Sequence, residues 1–140
     1  MSISNSKPTV ILADDHGAML VRTQQILADE FHILATASDG LQAVRAAVKS
    51  PPDILVLDIG MPGLDGIQVG REIRRLGFDC KIVFLTVQED DDYVDAARSL
   101  NASYVLKPRM HTDLLTAIEE TLAGRIFVSP FSAVESTRPA

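Results

Sequence analysis

Cysteine and long apolar runs are scarce in this chain of 140 residues, and each scarcity excludes a class of protein. The single cysteine, Cys80, cannot form an internal disulfide, which argues against a disulfide-stabilised secreted scaffold and for a reducing compartment. No apolar run reaches the roughly 18 residues that a membrane span requires. Residues 1–7 are polar and lack the apolar centre of a signal peptide. We therefore expect a soluble cytoplasmic protein without a membrane partner.

Aromatic and basic residues are also few. Aromatic side chains make up 5% of the chain and hydrophobic residues 46%, so the core must be built from aliphatic side chains. The 13 Lys and Arg against 19 Asp and Glu leave a formal net charge of −6. Because contacts to nucleic-acid phosphates need clustered Lys and Arg, we do not expect direct nucleic-acid binding. The length fits one domain with a sizeable core.

Short apolar runs alternate with segments of helical periodicity. The runs are rich in branched side chains and bounded by charges or turn residues, as buried strands are, and they occupy residues 10–13, 31–37, 54–57, 82–85 and 104–106. A helical segment follows each run. Strands separated by helices of this length pair in parallel through right-handed crossovers. The sequence thus predicts an α/β fold, a doubly wound three-layer sandwich around a five-stranded parallel sheet.

Two further expectations concern the second helical segment and the C-terminal end. Apolar side chains recur at Leu41, Val44, Ala47 and Val48, so these four residues are expected to share the buried face of a helix. Residues 129–140 are rich in Ser, Pro and Ala, which is typical of a tail or linker.

Four of the apolar runs end in side chains that can bind a cation or a phosphoryl group. The first run ends in Asp14 and Asp15, the third in Asp58, the fourth in Thr86 and the fifth in Lys107. In an open parallel sheet, ligands bind just beyond the carboxyl ends of the strands. We therefore expect these five side chains to meet at one rim of the sheet.

Phosphoryl transfer explains this combination of side chains. Clustered carboxylates repel one another, and Mg²⁺ relieves the repulsion because it binds one or two carboxylates together with a phosphate. Lys107 adds a positive charge suited to a phosphoryl oxygen, and Thr86 can donate a hydrogen bond to another. Asp58 is expected to be the nucleophile that forms an acyl phosphate. Metal and lysine would neutralise the charge on the phosphoryl oxygens.

The same residues lie in segments that resemble the response regulator receiver family of two-component signalling. These segments are ILADDH at 11–16, LDIGMPGLDG at 57–66, FLT at 84–86 and YVLKP at 104–108. The resemblance spans about residues 8–128, which we take as the domain, with 129–140 as its tail. It implies the flavodoxin-like strand order 2-1-3-4-5. It also implies a signalling switch that catalyses only its own phosphorylation and dephosphorylation, and not an enzyme in the ordinary sense.

The resemblance assigns a role to each residue of the expected rim. Asp58 matches the phosphoacceptor. Asp14 and Asp15 match the acidic pair that binds Mg²⁺, one directly and the other through water. Thr86 and Lys107 match the two residues that contact the phosphoryl group.

Further roles follow from the same resemblance. Gly60 matches the position whose backbone carbonyl binds the metal. Tyr104 matches the switch aromatic, which is expected to turn inward when Thr86 is drawn toward the phosphoryl group. The Lys107–Pro108 peptide matches one that is usually cis, a form nearly confined to bonds before proline.

Val87 and Gln88 match positions that border the path to the phosphoryl site. The residue after the switch threonine is often Ala or Gly in the family, whereas this chain has Val87. The added bulk is expected to slow the attack of water or of small donors on Asp58.

The subfamily that the chain resembles is that of receivers preceding a LuxR-type helix-turn-helix domain. This likeness is carried by Asp113, Leu114 and Leu115, and by residues 124–130. It implies a histidine kinase as phosphodonor, a DNA-binding output domain that controls transcription, and a homodimer through the last helix–strand–helix. We expect a fragment ending before that output domain, with a stand-alone receiver as the alternative.

Two rival functions remain open from the sequence. A Mg²⁺-dependent phosphohydrolase of the haloacid-dehalogenase type also uses an aspartyl phosphate, but it carries Asp-x-Asp after the first strand, where this chain has the adjacent pair Asp14 and Asp15. A degenerate receiver that serves only as an interaction module is the other rival, and the complete set of site residues argues against it.

Overall fold

The computed structural model describes residues 7–131, and over this range five strands alternate with five α-helices. A 3₁₀ turn, Lys107–Arg109, precedes the last helix. In chain order the elements are β1 Thr9–Ala13, α1 Gly17–Leu27, β2 His32–Ala37, α2 Gly40–Lys49, β3 Ile54–Leu57, α3 Gly66–Arg75, β4 Lys81–Thr86, α4 Asp91–Ser99, β5 Ser103–Leu106 and α5 Met110–Leu122.

All five strands pair in parallel in the order β2-β1-β3-β4-β5. The predicted α/β sandwich and its strand order are therefore confirmed. The order reverses between β1 and β3, so the carboxyl ends of these two strands lie side by side. A crevice forms at such a reversal, and it is the usual ligand site of open α/β sheets.

The strands are apolar on both faces because helices cover both faces of the sheet. Alternate residues of each strand point to opposite sides, so Leu55 and Phe84 pack on one face and Val56 and Val83 on the other. The first face also packs residues of α2, α3 and α4, and the second face packs residues of α1 and α5. Full burial of one such aliphatic side chain contributes about 1.5–3 kcal/mol.

The loop from β3 to α3 is held at several points. Asp65 caps α3 in a capping box, since its carboxylate accepts from the N–H of Gln68 at 2.8 Å and its own N–H donates to Gln68 Oε1 at 2.8 Å. The N–H of Gly66 donates to Ile59 O at 2.9 Å. A Cβ at Gly66 would overlap the backbone of Asp58 and Ile59, so only glycine fits here. These contacts fix the position of the backbone that follows β3.

The predicted buried face of α2 is wrong for two of its four residues. Leu41 and Val48 are exposed, whereas Ala43 and Ala47 are buried. The helix turns its smallest side chains inward because α2 packs closely against the sheet and α3, where larger side chains would not fit. Hydrophobic spacing alone does not distinguish a small-residue face from a face of large apolar residues.

The expected cis peptide at Lys107–Pro108 is also wrong, because no cis bond occurs in residues 7–131. A trans bond before proline is favoured by about 0.5–1 kcal/mol unless the surrounding fold selects cis. Here Pro108 lies in the first turn of the 3₁₀ segment, where its missing N–H leaves no bond unmade.

Residues 129–131, which the sequence places in a tail, pack against the domain. Ser129 is buried, and Phe131 packs against the core residues on one face of the sheet. The rest of the expected tail, residues 132–140, lies outside the described range. Over residues 7–131, none of the helices has both the length and the apolar character that crossing a membrane demands.

Candidate functional site

Three ionisable side chains meet at the rim where β1, β3 and β5 end. Lys107 Nζ lies 2.8 Å from Asp14 Oδ2 and 3.4 Å from Asp58 Oδ2. Each of the three side chains is only 6–7% exposed. The ammonium group therefore bridges two buried carboxylates, as the positions of these residues at strand ends predict.

Opposing influences act on the Asp58 carboxyl. Burial is the largest of them and raises its pKa, and the nearby Asp14 carboxylate raises it further. The charge of Lys107 and the N–H of Gly60, which donates to Asp58 Oδ1 at 3.3 Å, lower it. The net effect is a pKa above the ordinary value for aspartate. Additional positive charge at the rim would favour the ionised, nucleophilic form.

The acidic pair after β1 has one buried and one more exposed member. Asp14 is buried, while the side chain of Asp15 is 29% exposed. Oxygen atoms of Asp14, Asp15 and Asp58, together with a ring nitrogen of His16, all lie within 4.8 Å of one another. A set of three carboxylates at this spacing fits a hard divalent cation such as Mg²⁺. These residues could therefore hold a metal ion.

His16 is a neighbour of this cluster to which the sequence analysis assigns no role. The ring is exposed, but its Nδ1 lies 3.3 Å from Asp14 Oδ1 and 3.2 Å from Asp15 Oδ1. Its backbone N–H donates to Asp14 Oδ1 at 2.9 Å and so fixes that carboxylate. The one signal for this contact in the sequence is its position next to the acidic pair.

A short series of hydrogen bonds leads from Thr86, at the end of β4, toward β5. Thr86 Oγ1 accepts from the N–H of Gln88 at 3.2 Å. The carbonyl oxygen of Gln88 accepts from the hydroxyl of Tyr104 at 2.6 Å. Tyr104 lies inward with no solvent exposure, and burial raises the pKa of its phenol well above the ordinary value. Tyr104 thus lies inward in this structure, and its predicted turn in response to a phosphoryl group stays a prediction.

An open cavity of about 360 Å³ leads from solvent to the buried cluster. Val87 stands at this cavity with 63% of its surface exposed, next to Gln88. Asp58 and Lys107 contribute to the wall. The complete lining consists of His16, Met19, Asp58, Gly60, Thr86, Val87, Gln88 and Lys107. The cavity gives a small phosphorylated group a route to the Asp58 carboxylate.

The structure brings the predicted residues together on this rim. The backbone of Gly60 contacts Asp58, and Thr86, Val87 and Gln88 line the same cavity. Pro108 is exposed at the start of the turn that follows β5 and does not line it. The link from the Gln88 carbonyl to Tyr104 was not predicted, because backbone hydrogen bonds between distant segments leave no pattern in a single sequence.

The sequence analysis also did not predict a second polar cluster, which is formed by Arg109, Asp113 and Ser129. Asp113 Oδ2 accepts from Arg109 Nε at 2.8 Å and from Ser129 Oγ at 2.8 Å. Burial opposes ionisation of Asp113, but the hydrogen bonds from Arg109, Ser129 and Thr112 outweigh it and lower the pKa of that carboxyl. The sequence marks Asp113 only through the subfamily resemblance, and Ser129 falls in the segment assigned to the tail.

Comparison with known proteins places these features in a family context. A family model described as the response regulator receiver domain matches residues 10–119. The nitrate/nitrite response regulator protein NarL of Escherichia coli (strain K12) is 30% identical over 131 residues, which cover 91% of this chain and 61% of NarL. The chain spans somewhat more than half the length of the curated relatives that it matches.

Solved structures show the same fold. A two-component response regulator of the LuxR family from Aurantimonas sp. matches with a TM-score of 0.83 and 31% identity, covering 89% of this chain and 91% of that one. The isolated receiver domain of RcsB from Salmonella enterica serovar Typhimurium, in the presence of phosphomimetic BeF₃⁻, matches with a TM-score of 0.81 and 26% identity. That match covers 94% of this chain and 98% of the other.

Proposed function

Because the chain belongs to the response regulator receiver domain family, we propose that Asp58 accepts a phosphoryl group from a histidine kinase and thereby switches an output. Receiver domains are signalling switches and not catalytic enzymes in the ordinary sense. The observation that carries the proposal is the placement of Lys107 between the buried carboxylates of Asp14 and Asp58, at the base of an open cavity. This arrangement supplies a nucleophile, a charge for the phosphoryl group and a route of access.

The transfer forms one bond to phosphorus and breaks another. An Asp58 carboxylate oxygen attacks the phosphorus of a phosphohistidine, and the bond from phosphorus to the imidazole nitrogen breaks as the electron pair leaves with that nitrogen. The ammonium group of Lys107 then pairs with one negatively charged phosphoryl oxygen. The Thr86 hydroxyl donates a hydrogen bond to a second phosphoryl oxygen. The product is an acyl phosphate on Asp58.

Mg²⁺ is the cofactor that these residues fit. Asp58 and one member of the pair Asp14 and Asp15 would bind it directly, the other member through water, and the carbonyl of Gly60 is the further proposed protein ligand. The bound ion supplies positive charge that offsets the charge of the phosphoryl oxygens. The role of the protein is to keep Asp58 ionised and aimed at the cavity, which Lys107 and the Gly60 N–H do in the geometry described.

The output of the switch is proposed from the relatives. Partners would read the face formed by α4, β5 and α5, either as a second copy of this chain or as a DNA-binding output domain that controls transcription. The names of the matching proteins carry the transcriptional proposal, since a transcriptional regulatory protein and a DNA-binding response regulator of the LuxR family are among them. A cytoplasmic location also stays a prediction.

Phosphorylation by a small donor tests the proposal. The 140-residue chain, incubated with acetyl phosphate and Mg²⁺, is expected to gain the mass of one phosphoryl group. Asp58→Asn should abolish the gain, whereas Asp95→Asn, an exposed aspartate on α4, should leave it intact. Amide chemical shifts near Asp14 on Mg²⁺ titration give a readout of metal binding that does not depend on phosphorylation. Failure of the wild-type chain to gain this mass would favour the degenerate receiver and overturn the proposal.

A further inference from the structure

The imidazole of His16 lies against both acids of the pair that precedes it. Its Nδ1 is 3.3 Å from Asp14 Oδ1 and 3.2 Å from Asp15 Oδ1. His16 stands immediately before α1 with an extended backbone, and it lines the cavity that leads to Asp58. The ring nitrogen therefore faces the carboxylates from the side on which a solute enters.

The two oxygens of the Asp14 carboxylate have different partners. Oδ2 lies 2.8 Å from Lys107 Nζ, whereas Oδ1 accepts from the His16 N–H at 2.9 Å and lies beside the His16 ring. Lys107 thus neutralises one side of the acidic cluster. The other side combines carboxylate oxygens with an imidazole nitrogen.

The spacing of these atoms suits the ligands of one metal ion. Metal–ligand bonds of about 2.1 Å place neighbouring ligand atoms roughly 3.0 Å apart in an octahedral site and roughly 3.4 Å apart in a tetrahedral one. The two distances from His16 Nδ1 fall between these values. With Asp58, the ligand atoms of all four residues lie within 4.8 Å of one another. Three oxygens and one nitrogen therefore need only a small contraction to share an ion.

A nitrogen ligand changes which metal the cluster prefers. Mg²⁺ takes oxygen ligands and keeps several waters, whereas Zn²⁺ binds imidazole nitrogen together with carboxylate oxygen. His16 therefore adds a ligand for Zn²⁺ and none for Mg²⁺. Its side chain is 71% exposed, so the ring can reorient toward an ion without disturbing the core.

We infer that His16 is a nitrogen ligand that makes this rim a site for Zn²⁺, or a transition-metal ion of similar preference, in competition with Mg²⁺. The inference rests on the proposed function, in which the acidic cluster binds a divalent cation. A tetrahedral ion held by Asp14, Asp15, His16 and Asp58 has no open position for a phosphoryl oxygen. Zn²⁺ is therefore expected to slow the phosphorylation of Asp58 that Mg²⁺ supports.

Calorimetric titration of the 140-residue chain with Zn²⁺, and separately with Mg²⁺, tests the metal preference. His16→Asn keeps a polar side chain beside the acids but removes the imidazole nitrogen. We expect it to weaken Zn²⁺ binding about tenfold or more and to leave Mg²⁺ binding unchanged. His32→Asn is the matched control, because His32 is exposed and begins β2, at the opposite end of the sheet. Equal Zn²⁺ affinity in the wild type and His16→Asn would overturn the inference.

Nitrogen NMR of the labelled imidazoles shows ligation directly. An equimolar amount of Zn²⁺ should shift the Nδ1 resonance of His16 strongly, whereas Mg²⁺ should not, and the rings of His32 and His111 should respond to neither ion. An imidazole that only hydrogen-bonds to the acids would respond alike to both ions. That result would show that His16 is not a metal ligand.

Mass measurements separate this inference from the proposed function. With acetyl phosphate and Mg²⁺, added Zn²⁺ is expected to slow the mass gain of the wild type and to have much less effect on His16→Asn. A wild type that gains the mass while its His16 nitrogen ignores Zn²⁺ would overturn the role of His16 and leave the proposed function standing. A chain that binds Zn²⁺ through His16 but gains no mass would overturn the proposed function and keep His16 as a metal ligand.

Discussion

At the scale of single residues, Asp58 combines burial with a reactive role. Burial and the Asp14 carboxylate raise its pKa, and Lys107 lowers it only in part. The folded chain therefore holds a proton on Asp58 more tightly than the unfolded chain does, and the ionised form destabilises the fold at neutral pH. The same charge is what the proposed nucleophile needs, so the proposed function opposes stability.

Asp58→Asn is expected to raise the free energy of unfolding at pH 7, without divalent metal, because the neutral side chain avoids the cost of ionising a buried carboxyl beside Asp14. The wild type carries its full penalty above the folded-state pKa, and the penalty disappears as the pH falls to the unfolded value of about 3.9. The advantage of Asn should therefore shrink toward that pH. Urea denaturation across this range measures it, with Asp95→Asn as control. An equal advantage at all pH values, or a loss at pH 7, would contradict the prediction.

Val87 is another residue whose side chain is expected to affect the phosphoryl chemistry at Asp58. It stands exposed at the cavity that leads to Asp58, where a smaller side chain would leave more room. Val87→Ala is expected to speed the loss of the phosphoryl group several-fold, because water gains easier access. Mass measured at intervals after removal of the donor gives the rate, and Val48→Ala on α2 is the matched exposed control. An unchanged rate would show that Val87 does not limit access.

At the scale of elements, the loop between β3 and α3 places the acceptor. The N–H of Gly66 bonds to Ile59 O, and α3 begins at this glycine in direct contact with the backbone of Asp58. The start of α3 is therefore packed directly against the backbone of the proposed acceptor. The capping box formed by Asp65 and Gln68 also fixes the start of α3.

Gly66→Ala is expected to lower the free energy of unfolding by about 1–3 kcal/mol, the usual effect of forcing an extra methyl group into a packed site. The displaced backbone should also slow phosphorylation of Asp58. Chemical denaturation and the rate of mass gain measure the two effects. Gly17→Ala is the control, since a Cβ there meets no atom within 4 Å. A Gly66→Ala protein as stable and as reactive as wild type would refute the close placement of this loop.

At the scale of the whole molecule, the phosphoryl site and the α4–β5–α5 face share Tyr104. Its hydroxyl donates to the Gln88 carbonyl in the loop after β4, and its ring packs beside that of Phe131. Phe127 and Ser129 hydrogen-bond to Tyr104 and Leu106 along the outer backbone edge of β5.

Phosphorylation is expected to promote dimerisation through this face, and Tyr104→Ala is expected to uncouple the two. Gel filtration of the phosphorylated and unmodified chains, with mass confirming modification, measures the coupling. Tyr104→Phe, which keeps the ring but loses the bond to Gln88, should lie between the wild type and Tyr104→Ala. If Tyr104→Ala responds to phosphorylation as the wild type does, Tyr104 is not the link.

Much of the fold and of the site was predictable, and the failures share a cause. The strands and the positions of Asp14, Asp58 and Lys107 follow from local patterns, because a buried strand must be apolar and parallel strands end at one edge. The inward face of α2 was predicted wrongly, since Leu41 and Val48 suit a buried face by spacing alone. Which side chains fit depends on how closely α2 approaches its neighbours.

The amino-acid sequence by itself determined the alternation of strands and helices and the acids and lysine that meet at one rim, because these depend on periodicity and on parallel pairing. Only the tertiary structure decided that residues 127–131 close the edge of β5, that Ser129 joins Leu106 to Asp113, and that Gln88 links Thr86 to Tyr104. Those contacts join segments far apart in the chain through single backbone and hydroxyl groups. Such groups carry no periodic signal, so they become visible only once packing has placed them together.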